Sequence, residues 1–419
     1  MPELSPSIVV IGAGVVGLST ALYLRRSGHD VVVIDPLPPP GGASFGNAGM
    51  ISADTSVPIA LPGMLANVPS WLMDPQGPLA VRPSYFPKAA PWLMRWIAAG
   101  RLSRVKDISD AIRALHRDSF ICWKELLGPR HFSDLVRLSG QVHVWETDAE
   151  TKGAALEREL RKRHGIASEV LTADDLRQMF PGISRAVCRG VLVPGNGYTV
   201  NPQRLVATLH DLFLEVGGRT LREAVMKIIP REATEYTILT NVGMHEAQRV
   251  VVAAGAWSGR LLQPLGIKVP LETERGYHVM LPSHGLHLTT TISNKSRSFG
   301  VTPMEHGLRV AGTVEIAGLD APPDERRADA LLTNVRTMFP GVNTDGHRFW
   351  MGFRPSTPDS LPILGEAPSR PGLFLAFGHG HFGMTGGPPS ARLISRLINR
   401  QPTQIEPTHY SPLRFNWGR

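Results

Sequence analysis

The chain opens with a continuous apolar run at 7–11 (SIVVI) rather than an alternation of apolar and polar positions. Such a run fits a parallel strand covered by helices on both faces. Residues 15–27 then follow the 3.6-residue helical period and stop at Gly28, and 31–34 form a second apolar strand. Pro36, Pro38, Pro39 and Pro40 end it, because proline donates no amide to a strand ladder, and a glycine-rich loop follows at 41–49. From about 81 to 199 the pattern changes to amphipathic helices (108–127, 149–163, 173–180) around one alternating strand at 141–145, and reads as an insertion. Helical spacing over 202–216, between Asn201-Pro202 and Gly217-Gly218, leads into strands at 221–229, 236–239 and 249–254. Residues 269–314 are richer in strand and antiparallel in pattern, with 278–281 and 308–311 as members of a second domain's sheet. The end returns to a strand at 373–377, a Gly/His turn and a helix from about 385 to 398.

Length and composition narrow the class. A chain of 419 residues suits two or three domains, and 42% hydrophobic with 19% charged residues excludes disorder, collagen and coiled coil as whole-chain descriptions. The net charge of +8 is spread singly or over mixed helices such as 156–164 (LERELRKRH), so nucleic acid is not an expected partner. Cys122 and Cys188 supply no disulfide framework, CxxC pair or cysteine zinc site, and a reducing cytoplasm is the simplest home. No basic leader precedes the first apolar run, no cleavage site follows it, and no segment approaches the ~18 apolar residues of a spanning helix. The 87–99 stretch (PKAAPWLMRWIAA) sets Trp92 and Trp96 on one helical face beside Lys88 and Arg95. Substrate-domain core is the preferred reading there, while an interfacial helix leaves peripheral contact with the inner membrane open.

Gly12-x-Gly14-x-x-Gly17 lies directly after a strand and opens a helix. Gly12 permits the tight turn, Gly14 lets a pyrophosphate approach the backbone, and Gly17 lets helix and strand pack closely. Asp35 ends the second strand, where a carboxylate accepts hydrogen bonds from ribose hydroxyls. A nicotinamide enzyme continues with regular strand–helix alternation. Here the Pro run leads into 41–49, and two further glycine elements follow far away, at 253–257 (AAGAW) and 378–385 (GHGHFGMT). Three separated glycine loops fit a long cofactor, FAD, better than NAD.

Together these segments resemble the FAD-dependent amine and amino-acid oxidoreductases of the D-amino-acid oxidase superfamily, most closely the D-amino-acid dehydrogenase branch. The likeness runs from the N-terminal dinucleotide motif through SFGNAG at 44–49, VVAAGAW at 251–257, GFRPSTPDSLPILG at 352–365 and GHGHFGMT to the closing SPLRF. It implies an α/β fold: a discontinuous Rossmann-like FAD-binding domain (5–80, 200–262 and 348–400), a mixed-sheet α+β substrate domain (81–199 and 263–347) and a C-terminal tail (401–419). It also implies FAD contacts from Gly12, Gly14, Val15, Val16, Gly17, Asp35 and Pro36. Further contacts fall on Ser44, Asn47, Ala48, Gly49 and Met50, on Val225 beside the adenine, and on Ala254, Gly255 and Trp257. The last set is Gly380, His381, Phe382, Gly383, Met384 and Thr385, where a helix opening after Gly383 directs amide donors at the flavin pyrimidine ring.

By the same resemblance Arg354, in the GFRP motif, is the first choice for gripping a substrate carboxylate, because guanidinium binds it bidentately. Tyr277 and His278, in ERGYHV, match the substrate roof, where a hydroxyl assists that grip; Met50 lines the pocket, and His381 is a further polar candidate. His379 and His381 form an HxH pair without a third ligand cluster, so no metal is expected. Neither cysteine falls in a flavin loop and the first loop lacks a histidine for attachment, which points to non-covalent FAD. The implied reaction is oxidation of the Cα–N bond of an amino or imino acid by hydride transfer to flavin N5, giving an imine, with a quinone or other acceptor taking the electrons. No side chain is assigned as a general base. A D-configured substrate is expected, with cis-4-hydroxy-D-proline the leading guess. The rival readings are an oxidase of the glycine or sarcosine type and a non-catalytic flavoprotein subunit.

Overall fold

The computed structural model describes residues 7–39, 41–63, 77, 79–149, 152–231 and 234–415; the first six residues, on which the expected lack of a leader rests, lie outside them, as do Pro40 and most of the end of the first cofactor segment. The opening apolar run becomes the strand Ile8–Ile11, paired in parallel with Val31–Ile34 on one side and Arg249–Val252 on the other. The six-stranded sheet runs Arg219–Leu221, Val31–Ile34, Ile8–Ile11, Arg249–Val252, Leu373–Phe377, Ile363–Glu366, parallel except for its last pair. Its strands are apolar on both faces because both are covered. Ile8, Val10, Val31 and Val33 pack with the helices Val15–Arg26, Pro202–Glu215 and Gly383–Ile398, whereas Val9, Ile11, Val32 and Ile34 pack against the small antiparallel sheet Val225–Pro230, Tyr236–Thr240, Met244–Ala247.

The second sheet has nine strands. Along its main path lie Arg348–Ser356, Glu272–Leu281, Gly307–Ile316, Phe299–Met304, Thr291–Asn294, Gln141–Trp145, Arg189–Val193 and Glu169–Thr172, and Leu79–Val81 joins Gly307–Ile316 in parallel. The helix Arg326–Met338 covers one face through Leu331 and Val335, which share a core with Tyr277, Val279 and Val310.

Several boundaries differ from the sequence reading. Residues 221–229 do not form one strand: Arg219–Leu221 closes the parallel sheet and Val225–Pro230 starts the small one. The expected helix at 108–127 is two helices, Leu102–His116 and Ser119–Leu135, and both pack on the cofactor-side core through Ile112, Trp123 and Leu126 rather than on the second domain. Arg348–Ser356, grouped above with the cofactor segments, pairs along its length with Glu272–Leu281, so the chain returns to the parallel sheet only after Ser356. The 41–49 loop contains a helical turn, Gly42–Phe45. In the helix Phe86–Ala99, Trp92 is buried and donates from Nε1 to Ser356 O at 3.1 Å, while Phe86, Met94 and Ile97 stay exposed. Among the described residues no helix is long and apolar enough to cross a membrane.

Candidate active site

Residues from both sheets line one cavity of about 1160 Å³, more than the ~300–1,000 Å³ of an ordinary small-molecule site. At one end lies the glycine turn. Gly12 has φ +113°, and a Cβ on it would meet Ala253 O at 2.4 Å; a Cβ on Gly17 would meet Gly12 O at 1.9 Å. Gly17 therefore serves the packing of helix on turn, while Gly12, Gly14, Val15 and Val16 line the cavity. Asp35 is fixed by two backbone amides, Ala13 N to Oδ2 at 2.7 Å and Leu37 N to Oδ1 at 2.8 Å, and burial pushes its carboxyl above the ordinary value. Ser44 Oγ accepts from Val15 N at 3.0 Å, which holds the 41–49 loop over the helix start. Pro36, Val225, Ala254, Gly255 and Trp257 complete this end.

The loop is held carbonyl by carbonyl, three of them to the large sheet and the fourth to the strand Gly197–Thr199, which belongs to a separate three-stranded sheet. His278 Nδ1 donates to Gly46 O at 2.9 Å, Arg309 Nη1 to Asn47 O at 2.5 Å, Thr302 Oγ1 to Ala48 O at 2.8 Å and Thr199 N to Gly49 O at 2.8 Å. Asn47, Ala48 and Met50 face the cavity, whereas Gly49 and His278 do not line it. His278 is instead sandwiched behind the loop, stacked on Trp350 with centroids 5.0 Å apart, and burial with Arg309 nearby holds its imidazole down to about 3. It positions the loop.

Strand alternation separates the ERGYHV residues. Arg275 and Tyr277 point to the helix-covered side. The Tyr277 hydroxyl donates to the Glu315 carboxylate and accepts from Asp324 N at 3.1 Å, and burial, then Glu315, pushes it up to about 12. That hydroxyl is committed to the core, so the expected role in gripping a carboxylate does not match its placement, although Tyr277 contributes to the cavity wall. Glu274 and Gly276 lie on the opposite face, paired in register with Arg354 and Gly352. Arg354 lies across Gly276: a Cβ there would stand 2.1 Å from its Cζ. Among the described residues its one side-chain hydrogen bond is Nη1 to Thr313 O at 3.2 Å, and burial lowers the guanidinium's pKa while Glu274 opposes this. His381 Nε2 meets Glu274 Oε2 at 2.6 Å. Burial pushes Glu274 up, but His381 and Arg354 outweigh it and hold the carboxyl below its ordinary value. Glu274, Arg354 and His381 all line the cavity.

A sequence model of the family described as FAD dependent oxidoreductase matches residues 7–397. The chain belongs to this DAO family. A D-amino-acid oxidase of Bradyrhizobium diazoefficiens is 37% identical over 99% of this chain and 100% of its own length, and a D-amino acid dehydrogenase of Vibrio cholerae is 30% identical over 93% and 94%. Among solved structures, L-proline dehydrogenase from P. horikoshii superposes with TM-score 0.76 at 19% identity, over 99% of both chains. Glycine oxidase from Geobacillus kaustophilus gives 0.74 at 22%, over 98% of both.

The cavity fits the family's FAD. The bare glycine backbone at a helix start suits a pyrophosphate, and the Asp35 carboxylate at the end of the second strand suits a ribose hydroxyl. At the other end Gly380, His381, Phe382, Gly383, Met384 and Thr385 all line the wall, and Thr385 Oγ1 accepts from Ser52 N at 2.9 Å. The helix Gly383–Ile398 carries Pro388 and Pro389, which lack the amides that would bond the carbonyls of Met384 and Thr385. Trp123 Nε1 donates to Met384 O at 2.9 Å, and Ser119 Oγ stands 2.8 Å from Thr385 O and 2.5 Å from His116 O, its one proton shared between these two carbonyls. His379 is buried against Ser390 Oγ at 2.9 Å while His381 faces Glu274, so the two members of the HxH pair part company.

Sequence reasoning missed Glu274, and also Gln141, Asn196 and Ser293. Gln141 Nε2 donates to Ser293 Oγ at 3.0 Å and toward Met50 Sδ at 3.2 Å, and its Oε1 accepts from Ser52 Oγ and Asn196 Nδ2, both at 3.1 Å. The signal for Glu274 was its place at the head of ERGYHV, two residues before Gly276; the other three carry no motif.

Proposed function

We propose that this DAO-family enzyme oxidises the Cα–N bond of a D-amino or D-imino acid, with cis-4-hydroxy-D-proline as the leading substrate. The carrying observation is Arg354, a half-buried arginine with a single side-chain hydrogen bond among the described residues, laid over bare glycine backbone in the cavity wall. Most of its donors are left for a carboxylate, which it would hold bidentately and so fix Cα. Bound FAD supplies a hydride acceptor at flavin N5. The chain's part is to place the substrate by its carboxylate, to close the far end of the cavity with Trp92 and Trp96, and to leave the amine unprotonated so that its lone pair assists. The names of the two relatives support the D configuration. Ser293, whose Oγ lies 3.8 Å from Met50 Sδ, and His381 supply polar groups for a ring hydroxyl. A second reading concerns the acceptor: the 37% identical relative is named an oxidase, which favours oxygen over a quinone.

The test is anaerobic bleaching of the holoenzyme with cis-4-hydroxy-D-proline, D-proline, D-alanine, their L forms, glycine and N-methylglycine. The hydroxyproline is expected to give the highest specificity constant, since a site built for a hydroxyl penalises its absence. D-alanine in first place removes the hydroxyproline assignment; reaction of only L forms or N-methylglycine removes the D assignment; no bleaching with any of them leaves a non-catalytic subunit. Readmitting air or a quinone to the reduced enzyme then identifies the acceptor. Acid precipitation is expected to release FAD, not FMN, and leave the protein colourless.

A further inference from the structure

The cavity roof holds a cation and an anion that are neighbours without being partners. Arg354 and Glu274 are directly opposite in the pairing of Arg348–Ser356 with Glu272–Leu281, and both are inside the cavity wall. Opposite charges so placed in a low-dielectric wall would be expected to pair. Among the described residues, however, no ion pair within 4.0 Å joins them: Arg354 bonds Thr313 O, and Glu274 bonds His381. Glu274 is only 7% exposed at its side chain, so its charge is not answered by bulk water, whereas the His381 ring is 34% exposed. A further charged group on this strand is Glu272, two residues before Glu274, which accepts from the Tyr85 hydroxyl at 3.1 Å.

We propose that Glu274, held by His381, is the ammonium site of the substrate and the first acceptor of its proton. This rests on the amino- or imino-acid reading above. An amino acid is a zwitterion, and the two roof charges present one complement to each of its ends: Arg354 for the carboxylate, Glu274 for the nitrogen. On binding, one N–H bond of the substrate ammonium breaks, its proton passes to the Glu274–His381 pair, and the nitrogen keeps the electron pair. The proton then leaves to solvent through the partly exposed His381 ring. Glu274 is the group that touches substrate, and His381 is a positioning residue that also provides the proton's exit. A carboxylic acid without the amine meets only half of the site.

The experiment uses FAD-loaded wild type, Glu274→Gln and His381→Asn, the last keeping the fold should the buried substitution fail. Two probes are read: D-proline by the concentration dependence of the anaerobic flavin-reduction rate, which gives its dissociation constant, and 2-furoate, a ring carboxylate without an amine, by the change in flavin absorbance on binding. Loss of one charge-assisted hydrogen bond is expected to weaken D-proline by about 10–100-fold in Glu274→Gln while 2-furoate binds as in wild type or more tightly. The pH dependence of the flavin-reduction rate is expected to move to higher pH in both variants, because the amine must then lose its proton in solution. Equal effects on both probes, or no effect on D-proline with an unmoved pH profile, overturn the proposal while the amino-acid reading stands. Failure of wild type to be bleached by any amino or imino acid overturns both.

Discussion

Gly276→Ala separates the position of Arg354 from its charge. A methyl on Gly276 would lie 2.1 Å from Arg354 Cζ, 2.2 Å from Nη2 and 2.6 Å from Nε. Non-bonded carbons settle at about 3.5–4.0 Å, so the guanidinium has to retreat by roughly 1.5 Å. It is the free end of a flexible side chain and Gly276 sits in a paired strand without positive φ, so the displacement falls on the guanidinium rather than on the register. A charge-assisted N–H···O bond of about 2.7–2.9 Å does not survive a shift of that size. Each such bond contributes about 1.5–3 kcal/mol, which sets the expected loss for one bond at about 10–100-fold. The assay is titration of oxidised holoenzyme with 2-furoate, read by flavin absorbance, with FAD content and melting temperature as controls expected to stay near wild type. Arg354→Ala serves as the reference for complete loss. Should Gly276→Ala and Arg354→Ala both bind 2-furoate like wild type, Arg354 is not the carboxylate grip.

Three further outcomes follow from particular contacts. Asp35→Ala strands the amides of Ala13 and Leu37 and is expected to raise the FAD dissociation constant of the apoprotein about tenfold or more, measured by flavin fluorescence quenching; an unchanged constant would mean that Asp35 has no part in the adenosine site. Ser119→Ala removes the hydroxyl that the Thr385 and His116 carbonyls share, at a cost of about 1–3 kcal/mol, so the melting temperature should drop by a few degrees with the flavin spectrum intact; an unmoved melting temperature contradicts the dependence of these carbonyls on Ser119. His116, His278 and His379 are each pushed down to about 3 by burial, whereas in the unfolded chain they titrate near 6.5. Between those values the unfolded chain binds more protons, so stability rises with pH through that window and falls on acidification; the urea midpoint should be lower at pH 5 than at pH 7, and a higher one refutes the assignment of three neutral imidazoles.

How much was legible depended on whether the physics was local. The strands Ile8–Ile11, Gln141–Trp145 and Leu373–Phe377 and the helix after Gly12 could be read because continuous or alternating apolar runs and glycine stops are properties of short segments. Thr291–Asn294 and Phe299–Met304 could not, being short, polar and defined by partners across the sheet. In the site, the loops fell into one cavity as the motifs suggested, but the direction of each side chain was set by pairing. Tyr277 and His278 are adjacent in a suggestive motif, and alternation sends the first to Glu315; a carbonyl of the neighbouring loop takes the second. Glu274 became visible only when the register placed it against Arg354. The helix from about 385 was legible despite Pro388 and Pro389, but the Trp123 and Ser119 side chains that reach its unpaired carbonyls from a distant helix were not.

The threading of the parallel sheet has a consequence for how the protein is made. Ile8 pairs with Val31 on one side and with Arg249 on the other, and the cavity wall is completed by the helix Gly383–Ile398. At synthesis rates of about 5–20 residues per second, the first strand waits roughly 12–48 s for its second neighbour and roughly 20–75 s for that helix. Throughout that interval a fully apolar strand edge stands open on the ribosome, a surface suited to chaperones and to mispairing. The cavity wall is thereby completed only when the last tenth of the chain emerges, and a polypeptide that terminates before Gly383 has a complete glycine turn but lacks the Gly383, Met384 and Thr385 wall.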